Sequence, residues 1–330
     1  MYASLRSIGA YIPQKAFTNA DMEKMVETSD EWIKKRTGIK TRHFAEANEA
    51  TSDLATKAAK VAMERAGVKP GEIDMLITAT ISPDYLCMPS TACVIAHNLG
   101  IEDKPAFDIS AACSGFIYLL SIAKAYIESG MAKTILVIGA EKLSAITDFT
   151  DRSTCVLFGD GAGAAIIGAT DSKEEAILDV NIAANGKYQD FLMTPGCGSR
   201  HPASQEVIDQ RLQFMKMKGN ETFKLAVKTL SNDVKEILER NHLTSKEIHH
   251  FIPHQANYRI IKAVGDLLDF TPEQIAITVD RFGNTSAASI PMAMNALYEE
   301  GRLKNGEKVL LDAFGGGLTW GSAILTFCGR

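Results

Sequence analysis

The chain has 330 residues, of which 46% are hydrophobic and 23% charged, and its net charge is −5 at pH 7. That composition excludes an intrinsically disordered chain, and the acidic balance argues against a generally basic face for nucleic acid or anionic membrane. The length suits one large domain or two ordinary ones.

The opening stretch MYASLRSIGAYIPQ lacks an apolar core of signal-peptide length. No run approaches the roughly 18 apolar residues of a membrane span. Six cysteines, at 87, 93, 113, 155, 197 and 328, are scattered without a CxxC pair. A disulfide framework and a zinc site built on paired cysteines are therefore not expected, and the expected compartment is the reducing cytoplasm.

Helical patterns alternate with apolar β-branched runs along the chain. A helix over 52–67, closed by glycine, precedes a strand over 75–80. A helix over 116–130 precedes strands over 134–140 and 164–169. In the second part, a helix over 223–240 precedes a strand over 250–254, and a helix over 291–301 precedes a strand over 308–314. This alternation is an α/β signature.

The order repeats. GVKPGEIDMLITATISPDY, from Gly67, is echoed by NHLTSKEIHHFIPHQANY, from Asn241. The Glu-Ile pairs begin at Glu72 and Glu247, and 247 − 72 = 175. Adding that offset to Cys113 gives 288, inside RFGNTSAAS (281–289). Later, TILVIGAE and GDGAGAAIIGA are echoed by KVLLDAFGGGLTWGSAILTF. The repeat predicts two similar halves, 1–172 and 173–330, with a site drawing loops from the same strand ends of each.

Four stretches carry chemistry. In DISAACSGF (108–116), a strand runs into a turn of small residues and then a helix. Cys113 falls near a helix N-terminus, where unpaired N–H groups favour thiolate over thiol. Read alone, it is equally a small packed cysteine. In PHQAN (253–257), His254 ends an apolar strand at the sheet edge where α/β folds bind ligands. His249 and His250 share that run and take no role. In GNTSAAS (283–289), the Asn284 amide is either a neutral donor or a helix N-cap. In FGGGLTWGS (314–322), the three glycines permit close backbone approach and supply either an oxyanion-hole N–H or only a bulge. Cysteine, histidine and asparagine converging on strand ends of two repeated halves suit covalent catalysis.

The chain resembles the bacterial β-ketoacyl-acyl carrier protein synthase III family nearly end to end, through TSDEWIKKRTGI, DISAACSGF, TDRSTCVLFGDGAGA, PHQANYRI, RFGNTSAAS and DAFGGGLTWGSA. The resemblance implies a thiolase-like α/β fold, two duplicated halves forming a five-layered αβαβα sandwich, and a homodimer. It implies the triad Cys113, His254 and Asn284 and an acyltransferase reaction that initiates type II fatty-acid synthesis. Cys113 takes an acyl group, most simply acetyl, from acyl-CoA. His254 and Asn284 then donate hydrogen bonds to the thioester of malonyl-acyl carrier protein. Loss of CO₂ gives an enolate that attacks the acyl-cysteine and leaves a 3-oxoacyl product. Elongating enzymes of this fold resemble a Cys-His-His arrangement and biosynthetic thiolases a Cys-His-Cys arrangement, so asparagine points to the initiating branch or to its relatives in HMG-CoA and plant polyketide synthesis, and TSDEWIKKRTGI favours the bacterial initiating enzyme.

By the same resemblance, the backbone N–H groups of Cys113 and Gly316 form an oxyanion hole. Thr28, Trp32, Arg36, Arg152 and Asn257 bind CoA, with Trp32 and Arg152 on the adenine. Leu143 and Phe158 line the acyl pocket, as does Met88 from a loop that crosses the dimer interface, where well-known members carry phenylalanine. The acyl carrier protein is acidic, so docking needs a local basic surface. From Arg211 to Lys262 the chain has ten Lys/Arg against five Asp/Glu, 10 − 5 = +5. Lys224 and Arg259 fall there. No tightly bound cofactor and no metal are expected; CoA thioester enters as substrate.

Overall fold

The computed structural model describes residues 1–329. One five-stranded sheet contains β1 (Tyr2–Tyr11), β2 (Met75–Ala79), β3 (Ala106–Ile109), β4 (Thr134–Glu141) and β5 (Gly161–Thr170), in the order β1-β5-β4-β2-β3. A four-stranded sheet contains β6 (Ile177–Ala184), β7 (His250–Pro253), β8 (Lys308–Gly315) and β9 (Thr319–Thr326), in the order β7-β8-β9-β6. The longer helices are α1 (Asp30–Thr37), α2 (Thr51–Ala66), α3 (Thr91–Leu99), α4 (Gly115–Glu128), α5 (Gly219–Arg240), α6 (Tyr258–Leu267) and α7 (Ser289–Glu299).

The central strands are apolar on both faces because both faces are covered. Along β4, Leu136 and Ile138 join Leu54, Ala58 and Ile95 of α2 and α3 in one outer layer. Their neighbours Ile135 and Val137 point the other way, to Phe116 and Leu120 of α4 and Ile290 and Met294 of α7. That middle layer also takes Val309 and Leu311 of β8. Leu310 of β8 and Ile324 of β9 face Val234, Ile237, Ile261 and Val264 of α5 and α6. The result is an αβαβα sandwich with α4 and α7 between the sheets.

The two sheets share a plan. In the first, β2 is parallel to β4, β4 antiparallel to β5, and β5 antiparallel to β1. In the second, β7 is parallel to β8, β8 antiparallel to β9, and β9 antiparallel to β6. The counterpart of β3 is reduced to a parallel bridge between Phe251 and Ile275. Single-turn helices at Pro70–Glu72 and Ser245–Glu247 precede β2 and β7. Each ends in a glutamate that accepts the N–H three residues back, 2.8 Å from Lys69 and 2.7 Å from Thr244.

Another matched pair of turns, Ala112–Ser114 and Ser286–Ala288, leads into α4 and α7. Ala112 has φ 45° and Ser286 has φ 49°. Their separation is 286 − 112 = 174, so the counterpart of Cys113 is Ala287 rather than position 288. The repeat loses one residue between strand and turn.

The last strand of the first sheet is longer than its apolar run suggests, starting at Gly161 rather than at 164. A side chain at Gly163 would place Cβ 2.6 Å from Pro291. Helix α7 therefore crosses close over β5, and glycine, a weak strand former, is what that approach admits.

Candidate active site

Cys113 lies at the carboxyl end of the first sheet, in the turn between β3 and α4, and is only 4% exposed. The end of β8 backs it. A Cβ on Gly315 would sit 2.6 Å from the Cys113 nitrogen and 3.1 Å from that of Ser114. The glycine run thus abuts the Cys113 peptide, and Gly316 shares a cavity wall with Cys113. Helix position does not dominate the thiol. Burial pushes it up to about 12, and the negative charge of Glu141 adds to the rise. Desolvation thus works against the thiolate expected from the helix end.

His254 follows β7. Its N–H donates to the Asp312 carbonyl at 2.7 Å, which ties it to β8. Its Nδ1 lies 2.6 Å from Ser289 Oγ, and the same hydroxyl accepts the Gln255 N–H at 3.3 Å. With Ser289 donating to Nδ1, the imidazole proton sits on Nε2. Burial lowers the His254 pKa to about 3, so the ring is neutral at ordinary pH. Gln255 fixes the loop from below: its Nε2 donates to the Pro253 and Ala276 carbonyls, and its Oε1 accepts from Thr278 and Val279.

Asn284 forms a parallel bridge with Phe158, and its N–H donates to the Leu157 carbonyl at 2.8 Å. Its Oδ1 accepts the Ser286 N–H at 2.9 Å. Asn284 is not the N-cap of a helix: Thr285 precedes the turn and Ala288 precedes α7. The amide oxygen caps the turn, and that leaves Nδ2 as the free, donating end. Cys113, His254, Asn284 and Gly315 line one cavity of about 110 Å³. Cys113 and Phe158 also line a second, of about 800 Å³, with Ile81, Leu86, Phe107 and Met193. The cysteine therefore stands between two spaces.

The remaining expected residues divide. Phe158 is a wall of both cavities. Leu143 is fully buried behind it with Met215, and does not line either cavity. Met88 is 80% exposed and is absent from the walls, whereas Tyr85, Leu86, Cys87 and Pro89 of its loop are present. Leu143 therefore lies under the wall rather than on it, and the Met88 side chain is directed away from the cavities of its own chain.

Trp32 sits on α1, whose N-cap Ser29 accepts the Trp32 N–H. The Arg152 and Arg36 guanidinium carbons lie 4.8 Å and 5.5 Å from its ring centroid. A base stacking on Trp32 would displace one of these cations from the ring. Thr28 Oγ1 is buried and without a hydrogen-bond partner. Asn257 caps α6 through the Arg259 N–H at 2.8 Å and donates to the Arg36 carbonyl at 3.1 Å, while still lining the smaller cavity. Lys224 and Arg259 are exposed, on α5 and α6, with the Arg259 guanidinium over Phe223, another wall of that cavity. Sequence reasoning missed Ser289, Gln255, Ser286 and Glu141. Ser289 and Ser286 lay inside the quoted GNTSAAS motif, beside Asn284.

Among the described residues, no group of three or more His, Cys, Asp or Glu side chains is placed to hold a metal. No helix is long and apolar enough to cross a membrane.

Residues 107–186 match the family model described as 3-oxoacyl-[acyl-carrier-protein (ACP)] synthase III, and residues 238–327 match the C-terminal model of the same description. A β-ketoacyl-[acyl-carrier-protein] synthase III from Sulfurovum sp. (strain NBC37-1) is 65% identical, over 100% of this chain and 97% of the relative. One from Aliarcobacter butzleri is 62% identical over 99% and 98%. The crystal structure of the synthase III from Aquifex aeolicus superposes with a TM-score of 0.92 at 44% identity, covering 98% of this chain and all of that one. The priming β-ketosynthase of the R1128 polyketide pathway superposes as well, at 0.92, with 32% identity over 99% and 96%. At these identities and full-length coverage, the chain belongs to the β-ketoacyl-[acyl-carrier-protein] synthase III family, condensing acyltransferases of thiolase-like fold.

Proposed function

We propose that Cys113, His254 and Asn284 carry a decarboxylative Claisen condensation of acetyl-CoA with malonyl-acyl carrier protein. The observation that supports this reading best is their common cavity, with a neutral imidazole and an amide whose oxygen is already engaged. In the first stage, the Cys113 sulfur attacks the thioester carbon and the CoA thiol leaves. The N–H groups of Cys113 and Gly316 receive the carbonyl oxygen as it becomes an oxyanion. In the second stage, His254 Nε2–H and Asn284 Nδ2–H hold the malonyl thioester carbonyl. Loss of CO₂ places charge on that oxygen as an enolate, which two neutral donors stabilise without moving a charge. The enolate carbon attacks acetyl-Cys113, the carbon–sulfur bond breaks, and the departing Cys113 thiolate takes up a proton from water to regenerate the thiol.

Trp32, flanked by Arg36 and Arg152, takes the adenine end of CoA, with Thr28 beside it and Asn257 along the arm. Lys224 and Arg259 meet the acidic carrier protein. The working form is a cytoplasmic homodimer, each chain dividing near residue 172. Its contact includes the loop that exposes Tyr85, Leu86 and Met88, with Met88 reaching the partner's pocket.

Incubation with acetyl-CoA followed by peptide mass spectrometry tests the reading. One acetyl group is expected on the Cys113 peptide, and none in Cys113→Ala. Acetylation at another residue, or none in the wild type, sinks it. A longer or branched primer is the second reading, favoured by the cavity of about 800 Å³ beyond Cys113. A panel of acyl-CoAs with malonyl-acyl carrier protein separates the two.

A further inference from the structure

The acyl transfer leaves one proton without a stated acceptor. Cys113 begins as a thiol, and its proton must leave as the sulfur–carbon bond forms. His254 is a poor receiver: its ring resists protonation, and its Nδ1 is held by Ser289.

The structure offers another group. Glu141, the last residue of β4, is fully buried. A Cβ on Gly139 would sit 2.3 Å from the Ala287 carbonyl, so this face of β4 presses on the turn before α7. Residues i and i+2 of a strand share a face, so Glu141 points to the same turn. Its Oε2 accepts from Thr80 Oγ1 at 3.1 Å, the Ile81 N–H at 3.1 Å and Ser82 Oγ at 2.6 Å. Its Oε1 is nearly unused, with only the Ile81 N–H at 3.3 Å.

Ser286 stands between. It lines the larger cavity together with Cys113 and Thr80. Its hydroxyl is buried, faces both the Cys113 thiol and the Glu141 carboxyl, and completes a hydrogen bond with neither. Its left-handed backbone, φ 49°, is a conformation that non-glycine residues rarely take, and such residues concentrate at functional sites.

We propose that Glu141, acting through the Ser286 hydroxyl, accepts the Cys113 proton during acyl transfer and returns it to the departing thiolate. This deepens the proposed function and rests on it. The Cys113 S–H bond breaks, its proton passes to Ser286 Oγ, and the serine proton passes to Glu141 Oε1. The sulfur–acyl bond forms and the acyl–CoA sulfur bond breaks. The proton returns by the same path, so the thiol CoA–SH leaves and Glu141 is again a carboxylate. Burial raises the Glu141 pKa to about 7, which suits a base at ordinary pH. The groups facing its carboxyl come from the loop after β2 (Thr80, Ile81, Ser82), the turn before α7 (Ser286) and the turn before α4 (Cys113); of these only Cys113 titrates. The neighbouring Lys142 ammonium is occupied by the Glu46 and Glu49 carbonyls.

Single-turnover release of CoA from acetyl-CoA, followed from pH 5.5 to 9, tests the proposal. The wild-type rate should rise about tenfold per pH unit below pH 7 and then level. Glu141→Gln keeps the size and the acceptor oxygen, and should acylate roughly 100-fold more slowly with that rise abolished. Ser286→Ala breaks the link without touching the carboxyl and should slow acylation at least about tenfold. Glu141→Asp should restore part of the rate and the pH dependence, which a purely structural role would not. Wild-type acylation and pH profile in Glu141→Gln, or a wild-type rate in Ser286→Ala, would overturn the relay. Should Glu141→Gln not fold, Ser286→Ala alone decides. A wild-type chain that takes no acyl group on Cys113 instead defeats the proposed function, a separate result.

Discussion

The turns Ala112–Ser114 and Ser286–Ala288 have nearly the same backbone and opposite neighbours. Each packs on the central strand of the other sheet: the first meets the end of β8, the second the face of β4. Aligned from their first residues, β8 ends in Gly315 where β4 ends in Glu141. A Cβ on Gly315 would lie 2.6 Å from the Cys113 nitrogen, so glycine leaves that peptide its room, and the glutamate puts a carboxyl beside Ser286 instead. Duplication supplied two equivalent frames, and one substitution at each strand end made them chemically different. Under the proposed function, the first half presents the nucleophile and the second presents the donors that hold an enolate.

That division is open to attack by mutation. Under the mechanism proposed here, the two stages depend on different halves. His254→Ala and Asn284→Ala should still take up acetyl on Cys113, but each should lower malonyl decarboxylation by roughly 10²–10³-fold. Equal loss of acylation in either variant, measured by mass after acetyl-CoA, would mean that the halves do not separate the chemistry. Asn284→Ala also removes the acceptor for the Ser286 N–H. Its acylation should therefore fall slightly more than that of His254→Ala, which leaves the turn intact.

A smaller effect is expected at the surface. Trp32 is held beside two guanidinium groups, outside the buried triad. Trp32→Ala should raise KM for acetyl-CoA by about tenfold, since aromatic and cation–π contacts are worth roughly 1–2 kcal/mol. The kcat at saturation should hold. A fall in kcat with KM unchanged would place Trp32 in the fold rather than in binding.

These contrasts track what could be read from the sequence. The αβαβα layering was legible because β4 and β8 are continuous apolar runs that demand cover on both faces. Cys113, His254 and Asn284 were legible because each ends a recognisable strand or starts a helix. Glu141 was not: it closes an apolar run with one charged residue, the usual mark of a strand reaching solvent, and the loop after β2 and the turn before α7 bury it. Ser289 was hidden for a related reason, since a serine opening a helix reads as a cap. Leu143 falls beneath the wall because a resemblance carries residue identity but not the layer a side chain enters. The burial that opposes a Cys113 thiolate was not legible, because a sequence shows the helix end and not the desolvation.

The outer faces of the same two strands give the smallest test. Counting from the first residues, Ile138 of β4 corresponds to Asp312 of β8. Ile138 sits among apolar neighbours of α2 and α3. Asp312 is fully buried, and neither of its carboxylate oxygens has a hydrogen-bond partner. Burial raises its pKa well above the ordinary value, and the nearby Asp233 adds to the rise. The folded chain therefore holds this proton to higher pH than the unfolded chain does. Its contribution to stability is full below the ordinary aspartate range, near pH 4, and is lost as pH rises from there. Asp312→Asn cannot ionise, so its melting temperature should decline less between pH 4 and pH 8 than that of the wild type. The His254 anchor should survive, because it uses the Asp312 main-chain carbonyl and not the side chain. Parallel melting curves for the two proteins across that range would show that Asp312 holds no extra proton, and that the polar position in the second half is as inert as the isoleucine in the first.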